Sequence, residues 1–368
     1  MLLLYSIISV VVLVILLCFI ILLLEKILGF SGEVEVSVNS EKTFKAKRGL
    51  KLLPVLAENN IYLPAACGSK GNCGRCRLKV ISGGGYPTAL EKISLSEKDI
   101  KEGLRLACQV KIRENIILDI PKELLNARSF IAKLIEIKDL AYKIKGLRFK
   151  LEDGEKLNFE AGQYIQITKE LPRERAVRAY SISSSPNIKD EFTLDIQLVD
   201  GGLMSSYLHS LKLDTIVSFC GSFGDMYVNS ENKSDCYLLV AGGVGLAPMR
   251  SIISYLIENS SKSKIILFHG VRSKKYLYLE NEYKKLQKDN SNFEYYPVLS
   301  EPALEDGWIG KTGLVTQALE EYLNEKNIIS DSLQAYLCGP SKMMEVTTKL
   351  LLEKGIESSK IHSDPFSF

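Results

Sequence analysis

Between Met1 and Leu24 the chain carries no charged side chain. All 47 Lys and Arg and all 44 Asp and Glu of its 368 residues lie beyond that run. A stretch of this length built from Leu, Ile and Val makes a poor solvated surface, but as a helix it is long enough to cross a bilayer core of ~30 Å. A cleaved leader would want basic residues before the apolar run and a small-residue cleavage site after it, and neither is present. Residues 1–24 are therefore expected to be an uncleaved transmembrane anchor. Lys26, Lys42, Lys45, Lys47, Arg48 and Lys51 follow it and no base precedes it. The positive-inside rule then predicts a single-pass protein of the inner membrane with its C-terminal domains in the cytoplasm. A disulfide framework is not expected in that reducing compartment, so the eight cysteines need another role.

The rest of the chain has room for two or three domains. Its formal charge of +3 argues against a nucleic-acid partner. The three histidines, His209, His269 and His362, are too scattered for a His-rich zinc site.

Four segments follow from patterning. After the anchor, Val34, Val36 and Val38 alternate with polar residues, Asn39-Ser40 turns, and Phe44 and Ala46 continue as a hairpin. Leu50–Leu56 reads as a short helix despite Pro54. Leu106, Cys108, Val110 and Ile112 alternate as a further strand, and this module spans 33–122. Short alternating strands with glycine turns fill 128–230, Phe192-Leu194-Ile196-Leu198 being the cleanest, which predicts an antiparallel β-barrel or sandwich. From 235 to 368, apolar strands at 236–241, 264–269, 293–298 and 333–338 are separated by helical stretches. That is the signature of a doubly wound α/β domain.

Cys67, Cys73, Cys76 and Cys108 are spaced C-x5-C-x2-C-x31-C. Three thiolates on one loop with a fourth from a distant strand suit a [2Fe–2S] cluster, with one residue more in the first gap than the plant-type spacing. Gly68, Gly71 and Gly74 interleave with them and would let the backbone bring N–H donors near the sulfurs. A structural zinc is the weaker reading, because only Cys73 and Cys76 form a C-x2-C pair. Cys18, Cys220 and Cys236 read as core or membrane residues.

Arg178-Ala179-Tyr180-Ser181 combines a phosphate partner, a ring to stack on an isoalloxazine and a hydroxyl for a ring nitrogen. Downstream, Met204, Ser205 and Ser206 at a helix start can seat a pyrophosphate. Gly242-Gly243-Val244-Gly245 lacks the third glycine of G-x-G-x-x-G, yet it lies between a strand and a helix where a dinucleotide can approach. Cys338-Gly339-Pro340 ends the last main strand at the same edge. Cys338 itself is either a buried small hydrophobe or a nicotinamide contact.

Taken in order, these residues resemble the ferredoxin–NADP reductase superfamily, and more closely the family formed by the F subunits of sodium-translocating NADH:quinone reductases. The resemblance covers essentially the whole chain. It implies a transmembrane helix, a β-grasp ferredoxin-like α+β domain, an antiparallel β-barrel flavin domain and an α/β doubly wound nicotinamide-binding domain. By it Cys67, Cys73, Cys76 and Cys108 would ligate [2Fe–2S]. Arg178, Tyr180 and Ser181 would hold FAD, with Ser181 near the flavin N5, and Met204, Ser205 and Ser206 would take its pyrophosphate. Gly242, Gly243, Gly245, Arg272, Cys338, Gly339 and Pro340 would surround NADH, with Ser181 and Cys338 at the hydride. Phe366 would cover the flavin. Two segments, Gln163 to Arg178 and Val199 to Met204, are shorter than the family's.

The activity so implied is electron transfer from NADH through FAD to the cluster, and on to the integral-membrane subunits of a quinone-reducing, sodium-pumping complex. Two alternatives remain. One is a membrane-anchored NAD(P)H reductase feeding a hydroxylase or desaturase, and the other a non-catalytic scaffold with structural zinc. Arg272, Lys274 and Lys275 leave a 2′-phosphate, and so NADPH, open.

Overall fold

The computed structural model describes residues 2–28, 32–65, 67–171, 175–229, 234–259, 262–326, 328 and 332–366. Met1 of the expected anchor, Ser230 at the end of the barrel segment, and Ser367 and Phe368 lie outside them.

Helix α1 (Leu2–Leu28) covers the charge-free run. Its side chains are described over residues 5–21, and all of these are exposed. Among the described residues no helix is long and apolar enough to cross a membrane. Among these residues the expectation of a membrane-spanning helix over 1–24 is therefore corrected. What stands is an α-helix with an apolar, unburied surface.

The chain divides into two compact units. One is Met1–Ala65 with Ser69–Asn126, the other Ala66–Gly68 with Ala127–Phe368. The first unit holds β1 (Glu33–Val38), β2 (Lys42–Lys47), α2 (Leu52–Glu58), β3 (Arg77–Ser82), α3 (Ala89–Ser94), α4 (Glu97–Lys101), β4 (Leu104–Leu106), β5 (Ile116–Asp119) and α5 (Lys122–Leu125). Asn39 and Ser40 take positive φ and close the β1–β2 hairpin. The sheet order is β2-β1-β5-β3-β4, with β5 running parallel to β1. Alternation in β1 sends Val34, Val36 and Val38 into the core, where the buried face of α2 meets them.

Leu106, Cys108, Val110 and Ile112 are all buried, as their alternation predicts, but β4 ends at Leu106. Beyond it the backbone bonds to the α2 segment instead, with Ile112 N–H donating to Leu50 and Leu52 N–H to Val110. Only an isolated bridge, Lys51 with Lys111, remains of the expected strand.

The second unit begins with a six-stranded antiparallel sheet made of β6 (Arg128–Ala141), β7 (Ile144–Leu151), β8 (Tyr164–Glu170), β9 (Arg175–Ser181), β10 (Glu191–Gln197) and β11 (Ile216–Phe223), in the order β10-β7-β6-β11-β8-β9. A bridge from Ile182 to Leu194 joins the two ends of that order and closes the barrel. Phe149, Phe192 and Phe219 pack ring on ring inside it. Helix α6 (Leu203–His209) packs on β9 and β10.

Next come β12 (Cys236–Gly242), α7 (Leu246–Glu258), β13 (Lys264–Val271), α8 (Glu280–Asp289), β14 (Phe293–Leu299), β15 (Lys311–Thr312), α9 (Val315–Glu325), β16 (Leu333–Pro340), α10 (Ser341–Glu353) and β17 (Ile361–Phe366). The sheet β15-β14-β13-β12-β16-β17 is wholly parallel. Strand order reverses at β12, so a crevice opens between the carboxyl ends of β12 and β16.

Candidate functional site

In the first unit the cysteine loop is held by its backbone. Gly71 and Gly74 have φ of 84° and 63°, which a side chain would strain. Arg77 Nε donates to the Gly74 carbonyl at 2.7 Å, and Ser94 Oγ to that of Gly71 at 3.1 Å. Cys76 and Cys108 are buried and face each other. A hydrogen bond with Cys108 pushes the Cys76 thiol well above its usual range, and burial, the charge of Cys108 and that of Cys73 add to this. Gln109 Nε2 donates to Cys108 Sγ at 3.3 Å. Thiols crowded so that they resist ionisation are what a cationic iron centre relieves, and this donor set fits one. Among the described residues no group of three or more His, Cys, Asp and Glu is already arranged to hold a metal ion. Cys67, also buried, belongs to the Ala66–Gly68 segment of the second unit.

Arg178, Tyr180 and Ser181 lie on β9, with Ile165 of β8 opposite Tyr180. Tyr180 packs partly into the barrel core, and burial raises its phenol above the usual range against the pull of Arg178. The Arg178 Nη1 atom donates to the Val177 carbonyl at 2.7 Å. Because α6 packs on β9, Met204, Ser205 and Ser206 stand beside this strand. Ser205 Oγ is taken up locally, accepting from Val199 N–H at 3.1 Å, while Ser206 is exposed. No side chain caps α6. A half-buried ring, a guanidinium and an uncapped helix start fit a flavin nucleotide.

The third group meets at the β12–β16 crevice, around a cavity of about 520 Å³. Of the expected residues, Gly242, Gly243, Arg272 and Pro340 line it. Ile144 and Gln197 of the barrel line it too, as do Tyr276, Lys342 and Met343. Gly245 and Gly339 are spacers behind it. A Cβ on Gly245 would stand 2.2 Å from the Cys338 carbonyl oxygen, and one on Gly339 would stand 2.8 Å from Met343 Cε. Cys338 is fully buried and is not part of the lining. Phe366 pairs with Pro340 in register on β17 and packs partly into the core.

Arg272, Lys274 and Lys275, the cations that a 2′-phosphate would meet, are engaged. Arg272 Nε lies 3.5 Å from a Glu301 carboxylate oxygen, Lys274 Nζ donates to the Asp306 carbonyl at 2.7 Å, and Lys275 sits over the Tyr142 and Tyr276 rings.

Sequence reasoning missed a buried polar group behind the crevice. Asp195 of β10 accepts from Arg250 of α7 and from Ser183, both at 3.0 Å. His269 of β13 is fully buried, and its Nε2 lies 3.1 Å from the Gly243 carbonyl oxygen. The ring stands edge-on to Tyr278 at 5.7 Å. The weak clue was a histidine inside the otherwise apolar core of β13; Asp195 sits in the polar phase of β10 with Thr193 and Gln197 and gave none.

Three family models match the chain in succession. They are a 2Fe-2S iron-sulfur cluster binding domain over residues 36–113, an oxidoreductase FAD-binding domain over 131–227 and an oxidoreductase NAD-binding domain over 239–349. The chain is 32% identical over 377 residues to the F subunit of the Na(+)-translocating NADH-quinone reductase of Serratia proteamaculans (strain 568), covering 91% of this chain and 92% of that protein. It is 33% identical to the corresponding protein of Marinomonas sp. (strain MWYL1), covering 91% of each. The 377 aligned positions exceed what 91% of this chain supplies, so the Serratia protein has residues that this chain lacks. Among solved structures, the chain is similar to the Amycolatopsis cytochrome P450 reductase GcoB, with TM-score 0.70, 26% identity, and coverage of 90% of this chain and 98% of that one. A ferredoxin reductase in carbazole 1,9a-dioxygenase shares the fold, with TM-score 0.69 and 22% identity over 91% and 99% of the two chains.

Proposed function

The chain belongs to the family formed by the F subunits of the Na(+)-translocating NADH-quinone reductase, and from this we propose how its residues serve electron transfer from NADH through FAD to a [2Fe–2S] cluster. When bound, FAD would supply the change from a two-electron donor to single-electron transfer, and the cluster would supply a one-electron carrier. The observation that carries the reading is the cavity in which Gln197 and Ile144 of the barrel meet Gly242, Gly243 and Pro340 of the parallel sheet. A nicotinamide nucleotide seated there touches both modules.

In this reading Arg178, Tyr180 and Ser181 hold the flavin, and Met204, Ser205 and Ser206 take its pyrophosphate. Arg272 meets the nucleotide at the cavity wall, and Cys338 with Gly339 backs the crevice floor. Phe366 covers the flavin face until the nucleotide enters. Cys67, Cys73, Cys76 and Cys108 ligate the cluster. The pairing of Arg272 with Glu301 supports NADH over NADPH, because an acidic neighbour opposes a 2′-phosphate.

The charge-free run 1–24 ties the chain to the membrane, leaving the domains in the cytoplasm beside integral-membrane partner subunits. The charge-free run and the lysines after it support this. Washing membranes at alkaline pH should release the chain only when residues 2–24 are deleted. Release of the full chain would sink the anchor.

The central test is NADH oxidation by the full, FAD-loaded chain in detergent, with ferricyanide and quinones as acceptors. NADH should bleach the flavin absorbance within the turnover time, and an unbleached flavin would refute the reading. The likeness to a cytochrome P450 reductase favours one second reading, a reductase that delivers electrons to an oxygenase. Co-purification with integral-membrane subunits, as against a soluble haem or non-haem iron protein, separates the two.

A further inference from the structure

The glycines around the crevice are held in place by two different means. Gly242, Gly245 and Gly339 are fixed by contact: a Cβ on any of them would fall within 3 Å of Met343, Pro340 or the Cys338 carbonyl. Gly243 has no such constraint. At φ +55° its nearest neighbour to a Cβ would be Gln197 Oε1, 3.9 Å away across the cavity. A peptide with open space on the ligand side and left-handed freedom needs another anchor if it is to present one face to a ligand.

His269 supplies that anchor. It stands opposite Ala241 in the β12–β13 register, one strand over from the loop, and is fully buried. A carbonyl only accepts, so the 3.1 Å contact with Gly243 O requires the hydrogen on Nε2. Nδ1 has no protein partner among the described residues. This one hydrogen bond therefore fixes both the tautomer of the ring and the plane of the Gly243 peptide.

We propose that His269 is a positioning residue for the nicotinamide nucleotide, its Nε2–H holding the Gly243 carbonyl back so that the Gly242–Gly245 loop offers NADH a fixed floor. This rests on the cavity being the NADH site. His269 is fully buried and does not line the cavity, so it should act on binding and leave the chemical step alone.

The test uses the full, FAD-loaded chain with NADH and ferricyanide. His269→Met should raise the KM for NADH by roughly three- to tenfold, the worth of one net hydrogen bond. Its kcat should stay near wild type. His269→Gln, which can return a donor to the Nε2 position, should restore the KM. Unchanged KM in His269→Met, or loss of kcat instead of KM, overturns the proposal. Val346→Trp, at a half-exposed position in the cavity wall, tests the underlying reading separately. If that bulky side chain leaves the KM unaltered, the cavity is not the NADH site, whatever His269 does. A measurement on the unmodified protein covers failure of the variants to fold. Nitrogen-15 NMR of labelled histidine should show one Nε2–H tautomer whose signal moves on adding NAD+, and an Nδ1–H tautomer overturns the proposal.

Discussion

Arg250 on α7 donates to Asp195 on β10 at 3.0 Å, joining the parallel sheet's first helix to the flavin barrel through a carboxylate with no exposed surface. Ser183 shares the same oxygen, and the other oxygen, Oδ2, has no partner among the described residues. Burial lifts the Asp195 carboxyl above its usual range even against the Arg250 charge. Two further bonds cross nearby, from Ser185 and Asn187 to Glu258. The cavity between Gln197 and Gly243 therefore has a rigid back wall.

Removing the arginine should expose how much that wall depends on one charge. Arg250→Met leaves a buried carboxylate with only a hydroxyl, and losing one partner of a buried pair costs about 3–5 kcal/mol. The sign with pH follows from the raised carboxyl: the folded state then holds a proton that the unfolded state releases. Its stability should fall as pH rises above about 4 and remain low at neutral pH. Urea midpoints at pH 5 and pH 8 check this, and a variant as stable as wild type at pH 8 would contradict it.

His269 should work in the opposite direction. Burial lowers its pKa from 6.5 to about 4, so the unfolded chain binds the proton first. The stability of the neutral ring is fully present above pH 6.5 and is lost as pH falls toward 4, by about 3 kcal/mol if the whole shift is realised. His209 and His362 are lowered in the same direction by burial. Comparing wild type with His269→Gln at pH 7.5 and pH 4.5 isolates the share of His269, and the gap between the two pH values should narrow in the variant.

What could be read from the chain beforehand was local. The hairpin at Asn39-Ser40, the glycines among the cysteines and the β-α-β rhythm after Asp235 each announce themselves within a few residues. The pairing of Asp195 with Arg250 spans 55 positions and that of His269 with Gly243 spans 26. Neither leaves a pattern in its own neighbourhood. Residues 106–112 show a different limit: alternation reports burial on one side, and the backbone there meets that demand without a ladder. Of the nicotinamide residues, motif order pointed to Gly242, Gly243 and Pro340 at the cavity, but it could not separate lining glycines from spacers such as Gly245.

In the first unit Glu91 and Arg105 form a buried pair at 2.8 Å, Glu91 also capping α3 through Thr88 and accepting from Leu106 N–H. Burial would raise the Glu91 carboxyl, but Arg105, Thr88 and Leu106 together bring it below its usual range. Arg105 in turn holds the carbonyls of Gly84, Gly85 and Tyr86. Arg105→Met strips all of these at once and should destabilise this unit by about 3–5 kcal/mol. Iron content per chain should drop while flavin content holds, and equal loss of both would show that the damage is not confined to this unit.

Cys73→Ala should separate the two redox groups. Flavin bleaching by NADH needs only the second unit, so it should persist, while the reduced EPR signal of the cluster should disappear. A persistent signal would remove Cys73 from the ligand set.

Two neighbouring glycines make the sharpest structural contrast. Gly243→Ala adds a methyl group where only Gln197 Oε1 lies within 4 Å, so its cost is the left-handed backbone, about 1–2 kcal/mol. Gly245 has an ordinary helical φ of −60°, so an alanine there meets no backbone strain. Its Cβ would nevertheless stand 2.2 Å from the Cys338 carbonyl oxygen, which belongs to a central strand and has nowhere to move. Gly245→Ala must push β16 away from the start of α7, and its cost should exceed the ~3 kcal/mol of ordinary overpacking. Thermal unfolding of the flavin-loaded chain should thus rank Gly245→Ala well below Gly243→Ala. The opposite order would mean that the crevice is held open by the conformation of its loop, with the close approach of β12 and β16 playing no part.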